Sequence, residues 1–86
     1  MEIKTITVHN QIGLRSREAT IFVSKAKEFS SSIQVKYNHK LINGKSLLGV
    51  LSASIVGGAT ITIYVDGDDE IDALRELSEL VECGLY

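Results

Sequence analysis

The stretch Ile12-Gly13-Leu14-Arg15-Ser16-Arg17-Glu18-Ala19-Thr20 carries the residues whose types and spacing can do chemistry. It reads as a tight loop at Gly13 feeding a helix. Ser16 is placed as the N-cap, its hydroxyl accepting a backbone N–H that the first turn leaves unpaired. Glu18 then falls in the first turn, where the helix dipole favours negative charge. Such a junction converges several N–H groups on one spot and can hold an anion. Arg15 and Arg17 flank that spot with guanidiniums, the side chain best shaped for phosphate or carboxylate. The same residues also read as a solvated helix start with two exposed arginines, and pattern alone leaves both readings open.

The elements that must position this stretch follow from periodicity. Ile3 to Val8 alternates in its second half, with Ile6 and Val8 on one face, and predicts a half-buried strand. From Ser16 to about Phe29, the residues Ala19, Phe22, Val23, Ala26 and Phe29 recur at three and four, an amphipathic helix with Lys25, Lys27 and Glu28 toward water. Ile33 to Tyr37 predicts a second strand and Lys40 to Ile42 a third, joined by Asn38-His39, both expected at positive φ. Ser46 opens a short apolar helix, Leu47 to Ala53. Gly57-Gly58 breaks the chain, and Ala59 to Val65 is a strand with Ile61, Ile63 and Val65 on one face. Asp68 or Asp69 caps a last helix whose buried stripe reads Ile71, Leu74, Leu77, Leu80 and Val81, with Gly84 suited to the position just past its end. The order is βαββαβα, which predicts an α+β open-faced sandwich, an antiparallel sheet with three helices on one face.

Composition narrows the function classes. The 86 residues predict a single domain. The net charge of -2 gives no bulk attraction to nucleic acid or an anionic membrane surface. The longest uncharged run, Leu47 to Val65, carries strand and turn signals rather than those of a membrane span. No basic stretch precedes an apolar one at the N-terminus, and one cysteine cannot form an internal disulfide, so a cytoplasmic protein is expected. Cys83 reads as a structural small apolar residue. Two histidines and one cysteine stand without ligand spacing, so no metal is expected. Asp66 and Asp68 begin like a calcium loop that the following residues do not continue. Gly57-Gly58 lacks the Lys-Ser/Thr of a phosphate-binding loop, no catalytic triad is arguable, and neither an enzyme nor a cofactor is expected.

Three blocks carry a resemblance: Gly13 to Thr20, Lys45-Ser46-Leu47-Leu48-Gly49-Val50-Leu51-Ser52, and Gly67-Asp68-Asp69-Glu70-Ile71-Asp72-Ala73-Leu74. Together they resemble HPr, the histidine-containing phosphocarrier family of the sugar phosphotransferase system, over essentially the whole chain. The resemblance implies a four-stranded antiparallel sheet in order 1-4-2-3. It also exposes a departure. The family's first block reads Gly-Ile/Leu-His-Ala-Arg-Pro-Ala; here Arg15 stands at the histidine position and Glu18 at the proline position. A carrier needs a nucleophile that takes up a phosphoryl group and releases it, as neutral imidazole does. A guanidinium stays protonated and offers no lone pair. Glu18 adds negative charge where the family would hold a phosphate, disfavouring a second anion by on the order of 1 kcal/mol or less if exposed. Arg17 matches the family arginine beside the active histidine.

Ser46 is retained with its neighbours. In the family this serine is phosphorylated by an ATP-dependent HPr kinase/phosphorylase, and the product acts as corepressor for a catabolite-control transcription factor. Relatives of the catabolite-repression HPr (Crh) type lack the active histidine yet keep the serine; their substitute is glutamine, so Arg15 departs further. The resemblance implies a regulatory phosphoprotein with no carrier histidine, switched at Ser46, docking on a transcription regulator or another protein through Arg15, Arg17, Leu47, Leu48 and Leu51, without contacting nucleic acid or membrane. Two alternatives stay open: a carrier using Ser16, His9 or His39 as acceptor, and a binding module unrelated to sugar regulation in which Ser46 only caps its helix.

Overall fold

The computed structural model describes residues 1–85. Its elements run β1 (Glu2–Thr7), α1 (Ser16–Ala26), β2 (Ser32–Tyr37), β3 (Lys40–Asn43), α2 (Leu47–Ser52), β4 (Thr60–Asp66) and α3 (Glu70–Glu82). The strands form one four-stranded sheet in the order β1-β4-β2-β3, every pair antiparallel. This is the α+β open-faced arrangement that the sequence predicts, down to the strand order.

The alternation within β4 explains its central place. Ile61, Ile63 and Val65 turn inward and are almost fully buried. They sit opposite Ile6 of β1 on one side and Val35 and Ile33 of β2 on the other. The outer face is solvated and mixed, with exposed Ile3 and Leu41 among polar residues, and there Thr5 and Thr62 share a hydroxyl–hydroxyl hydrogen bond of 3.0 Å. Helix α3 packs on β1 and β4, α2 on β3, and α1 against both other helices. Phe22 with Ala19, Val23 and Ala26 from α1, and Leu77 with Ala73, Leu74 and Val81 from α3, fill the space above the sheet.

Several boundaries differ from the pattern-based expectation. Helix α1 ends at Ala26, and the chain tightens into three-residue turns, with Glu28 N–H donating to Lys25 and Phe29 N–H to Ala26. Phe29 still packs on the core, so apolar spacing outlasts the helix. Only Asn38 takes a positive φ in the β2–β3 turn; His39 does not. Ile71 is 70% exposed, because it lies in the first turn of α3 on the solvent side, while Ala73 and Ser78 occupy the buried stripe. Cys83 is exposed rather than structural. Gly84 takes φ 92 as expected. There Gly84 N–H donates to Val81 at 3.1 Å and Leu85 N–H to Leu80 at 2.9 Å, closing the helix end with Leu85 tucked into the core.

Asp69 stands at the N-cap of α3 but caps nothing there. Its carboxylate crosses to the α1–β2 turn and accepts the Ser31 hydroxyl, the Ser30 N–H at 2.9 Å and the Ser31 N–H at 3.0 Å. These bonds, the Ser31 hydroxyl foremost, hold its pKa at about 2, against an ordinary 3.8. A folded-state value below the unfolded one stabilises the fold above the unfolded pKa, and the contribution drains away as pH falls toward the folded value. The urea midpoint is therefore expected to drop between about pH 4 and pH 2. Asp69→Asn should lower the midpoint at neutral pH and flatten that acid slope, leaving the part contributed by Glu70, whose pKa is also lowered, chiefly by the Gly67 N–H. An unchanged acid slope in the variant would assign the effect elsewhere.

Candidate functional site

The start of α1 is set by a close approach of two backbones. Gly13 takes φ 85, and a Cβ there would overlap the Ile55 carbonyl oxygen and lie 2.7 Å from the Val56 carbonyl carbon. Across the junction, a Cβ on Gly57 would overlap the Asn10 carbonyl. Hydrogen bonds stitch the two loops: Leu14 N–H to Ile55 at 2.9 Å, Gly58 N–H to Val8 at 2.9 Å and Val8 N–H to Ala59 at 2.8 Å. The Asn10 carboxamide ties in the far end of the chain, its oxygen accepting Gly13 N–H and its nitrogen donating to the Gly84 carbonyl at 3.3 Å. Leu14 plugs into the core at 2% exposure, so the residue after it must leave in extended geometry.

That residue is Arg15, and it is the N-cap, with φ -88 and ψ -171; Ser16 is the first helical residue. The expected serine cap is absent because the plug at Leu14 starts the helix one residue earlier. The Arg15 carbonyl accepts Ala19 N–H at 2.6 Å, and the Thr20 hydroxyl folds back to the Ser16 carbonyl at 2.6 Å. Among the described residues, the side chain of the N-cap residue Arg15 caps no N–H of the first turn. Arg15 is exposed.

Glu18 departs from the exposed position assumed for its charge. Its side chain is 9% exposed, and its charge partner is Arg17 Nη1 at 3.6 Å, itself on a side chain 67% exposed. Two clefts flank the helix start. One, of about 400 Å³, is lined by Arg15, Ser16 and Leu51 with Ile12, Ile55 and Val56. The other, of about 420 Å³, holds Arg17 and Glu18 with His9, Asn10, Gln11 and Gly84. Ile12 belongs to both. The helix start thus separates the two arginines that the sequence set side by side.

Ser46 caps α2 as expected. Its Oγ accepts Gly49 N–H at 3.1 Å, and the preceding turn is fixed by Lys45 N–H on the Asn43 side chain at 2.9 Å. Lys45 Nζ donates to the Phe29 carbonyl at 2.7 Å, which anchors its charge there. Ser46 lines a third cleft beside β3. Leu48 is 76% exposed and Leu47 39%, while Leu51 is half-buried against the core and meets Arg15 in the first cleft. The structure therefore joins Arg15 with Leu51, keeps Leu47 and Leu48 at the start of α2, and places Arg17 on the other side. Exposed Ile12 and Val56 on the rim were missed by sequence reasoning; each is an apolar residue beside a glycine inside a loop, the signal that marks them.

Comparison with known proteins matches residues 3–83 to the family described as the PTS HPr component phosphorylation site. Among solved structures, the chain is similar to HPr-C-His from Thermoanaerobacter tengcongensis, with 36% identity, a TM-score of 0.95, and coverage of 99% of this chain and 96% of that one. It is similar to the phosphocarrier protein HPr of Bacillus anthracis, with 35% identity, a TM-score of 0.90, and coverage of 93% and 95%. It is also similar to Crh, the catabolite repression protein of Bacillus subtilis, solved as a domain-swapped intertwined dimer, with 30% identity, a TM-score of 0.78, and coverage of 100% and 99%.

The loop contact gives a direct test. Gly13→Ala adds both a backbone overlap and an unfavourable φ and is expected to cost more than about 2 kcal/mol in urea unfolding. Gly58→Ala shares the positive φ, but nothing lies within 4 Å of its Cβ, and it should cost roughly 1–2 kcal/mol. Equal costs would show that the close approach does not limit the site.

Proposed function

The chain belongs to the PTS HPr family, and from that premise we propose that it is a regulatory member that relays no phosphoryl group. The observation that carries this reading is Arg15 at the N-cap of α1, where the family motif has its histidine. A phosphoramidate needs a neutral ring nitrogen to attack phosphorus and to leave again. The guanidinium holds its protons and has no lone pair to offer. The Arg15 side chain makes no hydrogen bond to the first turn that would hold it over the helix start.

Ser46 is the switch in this reading. Its Oγ attacks the γ-phosphorus of ATP within HPr kinase/phosphorylase, the hydroxyl proton passes to a base on that enzyme, and ADP leaves. The product carries nearly two negative charges beside exposed Leu47 and Leu48. Apolar leucines, Arg15 on the Leu51 side and Arg17 beyond it form the face offered to a catabolite-control transcription factor or another regulated protein. The protein acts in the cytoplasm as a docking module rather than a catalyst. Its effect on transcription passes through the partner, not through its own contact with nucleic acid.

Intact-mass measurement after two incubations tests this. With enzyme I and phosphoenolpyruvate, no phosphoryl group should be gained. With HPr kinase/phosphorylase and ATP, one should be gained at Ser46 and none in Ser46→Asn, which keeps a good cap while removing the hydroxyl. An acid-labile label acquired from phosphoenolpyruvate overturns the reading. Arg15→His alone is expected to accept phosphate from enzyme I several-fold more slowly than Arg15→His combined with Glu18→Pro, because the Glu18 carboxylate lies at the same helix start. Equal rates for the two would show that Glu18 does not oppose the anion.

A further inference from the structure

Charge is unevenly spread along the chain. All 11 acidic residues lie before Phe29 or after Val65. The stretch between, from β2 into β4, carries Lys36, Lys40 and Lys45 and no carboxylate. The sheet ends in this stretch, where β3 pairs with β2 on one side and with no strand on the other. Gly44 N–H donates to the Ile33 carbonyl at 2.8 Å, in register with the β2–β3 ladder. The alternation of an antiparallel ladder then turns the backbone of Lys40 and Ile42 toward β2, and the N–H and carbonyl of Leu41 away from it. An unpaired edge of this kind is a template for one more strand.

Two clefts flank that edge. One, of about 250 Å³, opens on the outer face of the sheet beside Lys36, His39 and Tyr64. The other, of about 470 Å³, lies between β3 and α2, where Gly49, Ser52 and Ala53 leave room beside Ile42. Lys40 and Leu41 line both. No carboxylate lines either cleft, and among the described residues neither Lys36 nor Lys40 forms an ion pair. The opposite edge differs: there Lys4 of β1 pairs with Glu82, and the N-terminal ammonium with Asp66 and Glu70.

We propose that the free edge of β3 accepts an acidic, extended segment of a protein partner as a fifth strand, its carboxylates toward Lys36 and Lys40 and the residues between them in the groove beside α2. Side chains of a strand point alternately to the two faces of a sheet. A strand laid along β3 therefore sends every second side chain to the outer cleft and the others to the inner one, so the two clefts match the two parities. A glutamate on the outer face stands two strand spacings from Lys36, about 10 Å, which the two side chains together can span. On the inner side Ile42 and Ala53 suit a small apolar side chain. A second copy fits the edge poorly. Two β3 edges would set lysine against lysine. The outer face of β1, the other free edge, brings Ile3, Thr5 and Thr7 and no carboxylate. The inference goes beyond the regulatory reading and does not require modification of Ser46, although Ser46 also lines the inner groove.

The test uses the whole ¹⁵N-labelled chain and three peptides: acetyl-Glu-Val-Glu-Val-Glu-amide, the charge-reversed acetyl-Lys-Val-Lys-Val-Lys-amide, and acetyl-Val-Val-Glu-Glu-Glu-amide, which keeps the composition and breaks the alternation. The first should shift the amide signals of Lys36, Lys40 to Asn43 and Gly49, and slow solvent exchange at the Leu41 amide. It should bind at least roughly tenfold more tightly than either control, and less tightly as salt is raised. Lys36→Gln combined with Lys40→Gln should remove the preference over the charge-reversed peptide and leave that over the block peptide. The comparison of peptides on the unaltered chain stands even if the double variant fails to fold. Equal binding of the first peptide and either control, or shifts centred on the start of α1, overturns the proposal. Dimerisation of the free chain with shifts along β3 overturns it too, by giving the edge to a second copy.

Discussion

Two peptide backbones lie in contact where the loop before α1 crosses the loop before β4, and that contact governs the site. It exists because Gly13 and Gly57 each present no side chain to the other strand of chain. Once the loops are pressed together, Leu14 has one place to go, the core, and Arg15 has one direction to leave, away from it. The two clefts are the spaces left on either side of the crossing. The sheet supplies the platform: β1 and β4 are paired from Glu2 to Thr7, so the loops that continue from them emerge side by side.

Electrostatics then divides the molecule into a settled end and an unsettled one. At the start of α3, Asp69 binds three donors of the α1–β2 turn, and the carboxylate acts as a structural clamp. At the start of α1, Glu18 lies deeper with a single long ion pair. Both carboxylates sit where a helix dipole welcomes negative charge. What separates them is whether the neighbouring turn aims its N–H groups at them. The serine run after α1 does so for Asp69. The turn before Arg15 commits its N–H groups elsewhere, Gly13 to the Asn10 side chain and Leu14 to the Ile55 carbonyl.

The fold was legible because its periods are clean. Alternation in β4 and in the second half of β1, and the three-four spacing of α1, translate directly into buried faces. Strand order came from the resemblance in three blocks rather than from periodicity, which cannot say which strands pair. Errors fell where a residue type serves two ends: Ile71 fits the stripe of α3 by spacing, yet the first turn of that helix has not reached the sheet. Ser16 looks like a cap by type, but the cap position is fixed by the burial of Leu14, a tertiary fact. Of the site, Arg15, Ser46 and the exposure of Leu47 and Leu48 could be read from local sequence. The burial of Glu18 and the separation of Arg15 from Arg17 could not, since both depend on the crossing of loops more than forty residues apart.

The Asn10 bridge from Gly13 to the Gly84 carbonyl has a kinetic corollary. It ties the end of α3 to the loop ahead of α1, so opening of one is expected to be coupled to opening of the other. Fraying at the end of α3, ordinarily the least protected part of a helical domain, releases the loop with it. Amide exchange at Leu85 thus becomes a clock for the opening of the loop ahead of α1.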